Sequence, residues 1–200
     1  MTFGDLDVAH AHTDTQEPTR RDFLYIATGA VTAVGAAAVL WPFIDQMNPD
    51  ASVQALASIE VDIASVEVGQ SLTVMWRGKP VFIRHRTEAE IEEANAVPID
   101  DLPDPIARNA NLPADAEATD ANRVFANGEA EPRLEWLLMV GVCTHLGCVP
   151  LGEQGDYDGW FCPCHGSHYD TAGRIRKGPA PRNLDVPEYE FVSDTLIRVG

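Results

Sequence analysis

The sequence predicts an all-β domain preceded by one N-terminal transmembrane helix. Two observations carry that expectation. Phe23 to Ile44 is a run of 22 residues without a charge, and from Ser58 onward short β-branched and aromatic runs alternate with turn residues. With 200 residues, 45% apolar and 22% charged, the chain has room for one well-packed domain and an appendage.

Residues 1–19 are polar and acidic without a hydrophobic period, and read as a short disordered tail in which His10 and His12 are idle. Thr19-Arg20-Arg21-Asp22-Phe23-Leu24 then leads into the apolar run. As a helix that run is about 33 Å long, enough for a hydrocarbon core of about 30 Å. The alternative is a cleaved secretory signal, with Ala36-Ala37-Ala38 imitating a cleavage site. A signal's apolar region runs about 7 to 15 residues, so a retained anchor is the expectation. Twin arginines before such a segment resemble a Tat export signal, an address suited to proteins that cross the membrane already folded. Arg20 and Arg21 precede the helix, and no Lys or Arg follows it until Arg77, so the positive-inside rule puts the amino end in the cytoplasm. Gly29, Ala33, Gly35 and Ala36 to Ala38 permit close packing against neighbouring membrane helices. Trp41 and Pro42 mark the far interface, and Asp45 to Leu56 has turn formers but no strong period. The expected division is a cytoplasmic tail with the twin-arginine signal at 1–22, an anchor at 23–44, a flexible tether at 45–56 and a periplasmic domain at 57–200.

Within that domain Ile59 to Ile63 alternates, and Ser71 to Trp76 and Val81 to Arg84 are β-rich runs joined across Arg77-Gly78-Lys79-Pro80. Thr87 and Glu90 have capping-box spacing, which predicts a short helix to Ala94 with Ile91 as its main apolar contact. Residues 95–133, rich in Asp, Asn, Ala and Pro, read as a long surface insertion with little regular structure. Leu134 to Val142 is an apolar strand leading into Cys143. Short strands recur near Trp160, at Tyr169 and Arg174 on either side of Thr171-Ala172-Gly173, and at Glu188 to Val192 and Leu196 to Val199.

The 31 acidic and 14 basic residues leave a net charge of -17, which excludes nucleic acid as a partner. The excess charge serves either solubility or steering toward a basic partner. All four cysteines fall between Cys143 and Cys164, interleaved with His145 and His165. They read Cys143-Thr144-His145-Leu146-Gly147-Cys148 and Cys162-Pro163-Cys164-His165-Gly166-Ser167-His168-Tyr169. Taken as ligands, Cys143 with His145 and Cys162 with His165 give two loops that each offer one thiolate and one imidazole. A two-iron cluster can take both thiolates on one iron and both histidines on the other, and neutral imidazoles in place of anionic thiolates raise its reduction potential. Tetrahedral zinc accepts the same donors, but zinc fingers pair Cys with Cys and His with His at closer spacing. Cys148 and Cys164 remain, and in an oxidising compartment two non-ligand cysteines on adjacent loops can form a disulfide.

Together, the Tat-like start, anchor, tether and two boxes resemble the Rieske proteins of cytochrome bc complexes of the complex III type, those of alphaproteobacteria above all. The resemblance implies a Rieske-type antiparallel β-sandwich with a cluster-binding part at about 143–181 and one 2Fe-2S cluster. It implies Cys143, His145, Cys162 and His165 as ligands and Cys148 with Cys164 as a disulfide. Ser167 would hydrogen-bond a cluster sulfide, Tyr169 the Cys143 sulfur, and Gly178-Pro179-Ala180-Pro181 would form a covering loop. His168 would lie on the other side of its strand. The implied partners are ubiquinol, cytochrome b and a c-type cytochrome in a dimeric complex of the bacterial inner membrane. His165, with His145 as the second exposed ligand, would carry the catalysis, and Leu146 would meet cytochrome b. The competing classes are a soluble Rieske ferredoxin or oxygenase domain and the small subunit of a periplasmic oxidase such as arsenite oxidase.

Overall fold

A computed structural model describes residues 19–48 and 57–200, in two compact units. The first contains helix α1, Arg20–Asp45. It starts three residues before the apolar run because Thr19 and Asp22 form a reciprocal capping box. The Asp22 carboxylate accepts the Thr19 amide at 2.8 Å, and the Thr19 hydroxyl accepts the Asp22 amide at 3.3 Å. At its other end the helix runs through Pro42 and ends at Asp45, one residue past the expected anchor. Apart from Ala27, every α1 side chain is exposed, so the apolar surface on all sides of the helix has no protein cover. That is the surface of a membrane anchor. Of the expected tether, Asp45 belongs to the helix, and residues 49–56 lie outside the described residues, as do 1–18 of the expected tail.

The second unit is built from antiparallel strands, as the patterning predicts. β1 (Ile59–Asp62), β10 (Leu196–Val199) and β9 (Tyr189–Phe191) form one sheet in the order β1-β10-β9. A second contains β2 (Ser71–Trp76), β3 (Lys79–His85) and β4 (Trp136–Val140), and a third β5 (Leu151–Gly152), β6 (Trp160–Cys162), β7 (Ser167–Tyr169) and β8 (Ile175–Lys177). β2 and β3 meet in a two-residue turn at Arg77-Gly78, both with positive φ (48° and 72°), the geometry that matches hairpin twist.

β3 and β4 of the middle sheet are buried on both faces. Val81, Ile83 and Leu138 point into one core with Val61, Ile197 and Val199 of the first sheet. Phe82, Leu137 and Met139 point the opposite way, into a second core with Cys143, Trp160, Cys162, Tyr169 and Ile175. This explains why Trp136 to Val140 is continuously apolar instead of alternating. β4 therefore joins the sandwich to the cysteine-bearing hairpin and delivers the chain directly to Cys143.

Helix α2, Glu88–Asn95, carries the expected Thr87/Glu90 capping box, although its buried residue is Ala94 and Ile91 is only half-buried. Residues 95–133 have little regular structure: a 3-10 turn at Ile99–Asp101 and the four-residue helix α3, Asp120–Arg123. They are not a surface insertion. Leu102, Asp104, Ala107, Asn109, Ala118, Asp120, Arg123 and Val124 are buried. The polar composition suggested solvent, but these polar groups find partners inside. Asp120 takes both Arg86 nitrogens at 2.6 and 3.0 Å with both side chains fully enclosed, and Asn109 donates to the Asn122 and Phe125 carbonyls. Removing one partner of a fully enclosed ion pair leaves an uncompensated charge. Asp120→Ala is expected to destabilise the domain by about 3–5 kcal/mol, read as a lowered denaturant midpoint.

Candidate metal centre

Two loops bring the cysteines and histidines together. The first follows β4. The Cys143 amide donates to the Cys148 carbonyl at 2.7 Å and the Gly147 amide to the Cys143 carbonyl at 2.9 Å, with Gly147 at φ +82° closing the turn. The second is the tip of the β6–β7 hairpin, where Cys162 pairs with Ser167 and the Gly166 amide returns to the Cys162 carbonyl at 3.0 Å. Cys148 and Cys164 are joined as a disulfide between the loops, with Cα atoms 6.8 Å apart. Cys143 and Cys162 are free and buried. The rings of His145 and His165 stand edge to face, 4.7 Å between centroids. His165 is exposed and His145 half-buried.

Three sulfurs, those of Cys148, Cys162 and Cys164, lie within 4.8 Å of one another. Two of them are consumed by the disulfide, so that grouping is not a ligand set. The donors that remain are the two free thiols and the two imidazoles, and one further observation bears on them. Among the described residues, Nδ1 of His145 is the one buried side-chain nitrogen or oxygen without a hydrogen-bond partner. A native fold rarely leaves such an atom unsatisfied, and a lone pair aimed at a metal satisfies it. The residues present fit a cluster held by two sulfurs and two ring nitrogens.

The surroundings bias the sulfurs. Tyr169, fully buried, has its hydroxyl 3.3 Å from Cys143 Sγ and accepts the Thr144 amide at 3.4 Å, which turns the hydroxyl hydrogen toward the sulfur. Burial and the neighbouring Cys143 push Tyr169 well above the ordinary tyrosine range, so it stays protonated. Burial raises the Cys143 thiol, but hydrogen bonds from Tyr169, the His145 amide, Cys162 and Ser167 bring it below the usual cysteine value. Cys162 moves up, through burial and its bond to Cys143. Ser167, fully buried, accepts the Ala180 amide at 3.2 Å. The expected covering loop is therefore seated on the β6–β7 hairpin. Gly178, at φ +106°, has no room for a Cβ between itself and the Gly166–Ser167 backbone. His168 lies on the opposite face from Ser167 and Tyr169, packed on Phe161 with its Nδ1 accepting the Asp156 amide.

Sequence reasoning missed three contributors. Thr144 ties the first loop to a third, the covering loop with its continuation to residue 184, by donating to the Arg182 carbonyl at 2.7 Å. Asn183 donates to the Asp104 and Ile106 carbonyls and accepts the Ile175 amide, and the Asp104 carboxylate accepts the Asn183 amide at 3.0 Å. Thr144 could have been suspected from its place inside the first box. Asp104 and Asn183 have no local signal, being 79 residues apart.

Two family models match the chain: the Rieske 2Fe-2S domain over residues 104–190 and the ubiquitinol-cytochrome C reductase Fe-S subunit TAT signal over 10–50. The ubiquinol-cytochrome c reductase iron-sulfur subunit of Rhodobacter capsulatus is 59% identical over 95% of this chain and 100% of its own length. The chain belongs to the family of ubiquinol-cytochrome c reductase iron-sulfur subunits. The corresponding subunit of Cereibacter sphaeroides is 60% identical over 91% of this chain and 95% of its own, and that of Rickettsia felis 52% over 92% and 95%. The chain is accordingly a subunit of an oxidoreductase complex, a single-pass membrane protein with a Tat signal and a domain for one Rieske 2Fe-2S cluster.

Two outcomes are expected from this geometry. Replacing Cys148 and Cys164 together with alanine should cost about 2–4 kcal/mol in a denaturation experiment, since both loops lose their covalent tie. Burial raises the Asp104 carboxyl, but hydrogen bonds from Arg108 and the Asn183 and Ile106 amides hold it below the ordinary range. A carboxylate depressed on folding contributes stability that is fully present above its unfolded value near 3.9 and is lost as pH falls through the folded one. Melting temperatures taken between about pH 5 and 2 should fall with acid, and Asp104→Asn should flatten that fall.

Proposed function

We propose that this chain accepts an electron from ubiquinol at the quinol oxidation site of cytochrome b and passes it to a c-type haem, with release of the quinol protons. The observation that carries this reading is the pairing of a buried, unpartnered Nδ1 on His145 with a second imidazole, His165, exposed at the hairpin tip. Cys143, His145, Cys162 and His165 are the ligands in this proposal. When bound, the cluster supplies one-electron redox chemistry at a potential raised by its two histidines.

The chain's own residues do the rest. Nδ1 of His145 is buried, and as a ligand each histidine would use one ring nitrogen and leave the other at the surface to hold or release a proton. His165, the more exposed, accepts a hydrogen bond from the quinol hydroxyl there, and His145 offers a second site. Tyr169 and Ser167 donate toward sulfur and favour the more electron-rich state. Leu146, 71% exposed beside His145, with Val149 and Leu151, gives an apolar rim that excludes water when docked on cytochrome b. Residues 1–22 lie in the cytoplasm in this reading, 23–44 span the inner membrane, and 45–56 tether the periplasmic domain 57–200 as it moves between cytochrome b and the c-type cytochrome of a dimeric complex.

The test is electron paramagnetic resonance of dithionite-reduced membranes with redox titration at several pH values. A rhombic reduced 2Fe-2S signal with a high potential that falls as pH rises is the expected result; a low, pH-insensitive potential or stoichiometric zinc would sink the reading. His165→Ala should abolish quinol oxidation. Tyr169→Phe should lower the midpoint potential by about 40 mV, from about 1 kcal/mol of lost preference for the reduced state.

A further inference from the structure

We propose that Arg123 is a positioning residue for the cluster site, acting through Tyr169 by fixing the turn that follows β7. The proposal rests on the reading above, in which the Tyr169 hydroxyl tunes the cluster through Cys143. Arg123 ends helix α3 and is completely enclosed. Arg86 and Arg174 face the carboxylates of Asp120 and Asp170. Arg123 instead spends its fork on backbone carbonyls: Nε donates to Ala172 at 2.9 Å, Nη2 to Gly173 at 3.5 Å, and Nη1 to Ala107. Burial lowers it to about 10, so the side chain is still charged at neutral pH. Enclosing a cation whose hydrogen bonds go to carbonyls is costly even with the Asp170 charge nearby, and those carbonyls lie in two places, Ala107 and the Ala172–Gly173 pair.

Ala172 and Gly173 belong to the turn from Asp170 to Gly173, which begins one residue beyond Tyr169. Gly173, at φ +70°, is wedged between Met139 of β4 and the Arg123 guanidinium, with no room there for a Cβ. The Gly173 carbonyl also accepts the Leu184 amide at 3.0 Å, so the end of the third loop hangs on the same turn. β7 pairs regularly with β6, Tyr169 opposite Trp160, but its register with β8 shifts between His168 and Tyr169, so on that side the turn takes over from the ladder. The contacts of the turn therefore act with the β6 pairing to set where Tyr169 sits relative to β4, and β4 leads to Cys143. At 3.3 Å, the hydroxyl-to-sulfur contact is sensitive to a retreat of a few tenths of an ångström.

The test is a double-mutant cycle on midpoint potential, measured by paramagnetic resonance in the membrane-bound complex, for the natural chain, Arg123→Lys, Tyr169→Phe and the double variant. Lysine keeps the charge and loses the planar fork. The expected result is a lowered potential for each single variant, with the double variant no lower than Tyr169→Phe. A natural potential in Arg123→Lys overturns the proposal. So does a shift that persists undiminished in the Tyr169→Phe background, because the arginine would then act elsewhere. If Arg123→Lys does not retain the cluster, Arg123→Gln, which removes the buried charge and keeps one donor, enters the same cycle with the same criteria. Tyr169→Phe alone leaving the potential unchanged would instead defeat the underlying reading of Tyr169.

Discussion

Two buried free thiols and a buried imidazole nitrogen without a hydrogen-bond partner are a combination that a protein interior tolerates only when something else completes them. Much of the second core can be understood as the apparatus that holds Cys143, Cys162 and His145 in that condition. No single element does so. The thiols come from different loops, and each loop is short and tipped with a glycine in the left-handed region, Gly147 and Gly166. Three independent ties therefore converge on them: the Cys148–Cys164 disulfide, the Thr144 hydroxyl on the Arg182 carbonyl, and the Ala180 amide on Ser167.

The middle sheet gives these ties a fixed reference. Because β3 and β4 are buried on both faces, a shift of one residue in register would displace two cores at once. Cys143 leaves that sheet at its best-packed strand, and the hairpin bearing Cys162, Ser167 and Tyr169 packs directly on Phe82, Leu137 and Met139. Phe82 and Trp160 lie parallel, 6.5 Å between ring centroids, across that boundary. The rigidity of the sandwich thus reaches the site through side chains of alternate sense on one strand. Polar links reinforce it: Arg84 of β3 holds Glu90 of α2 at 3.0 Å and Glu153 of the β5–β6 connection at 2.9 Å.

The candidate site was legible because its signals are local. Cys143 with His145 and Cys162 with His165 lie two and three residues apart, and steric reach limits what such pairs can bind. The Thr87/Glu90 box and the Arg77-Gly78 hairpin were legible for the same reason, since each depends on residues within one turn. Residues 95–133 were misjudged because composition reports polarity and not pairing. Asp120 and Arg123 would belong at the surface if alone, yet Arg86, 34 residues away, and the Ala172 carbonyl, 49 residues away, make their burial tolerable. No window on the sequence contains both halves of those contacts.

The sequence by itself determined the membrane helix, the antiparallel strand content and the candidate donor residues, because hydrophobic period, charge-free length and the spacing of Cys and His act over a few residues. Only the tertiary structure decided which sulfurs were tied to each other and which stayed free, which nitrogen of His145 was left without a partner, and how Tyr169 came to lie on Cys143. Those outcomes depend on separations held to within a few tenths of an ångström between segments more than a dozen residues apart. Packing and buried polar pairing set such separations, and neither is encoded in any local stretch of chain.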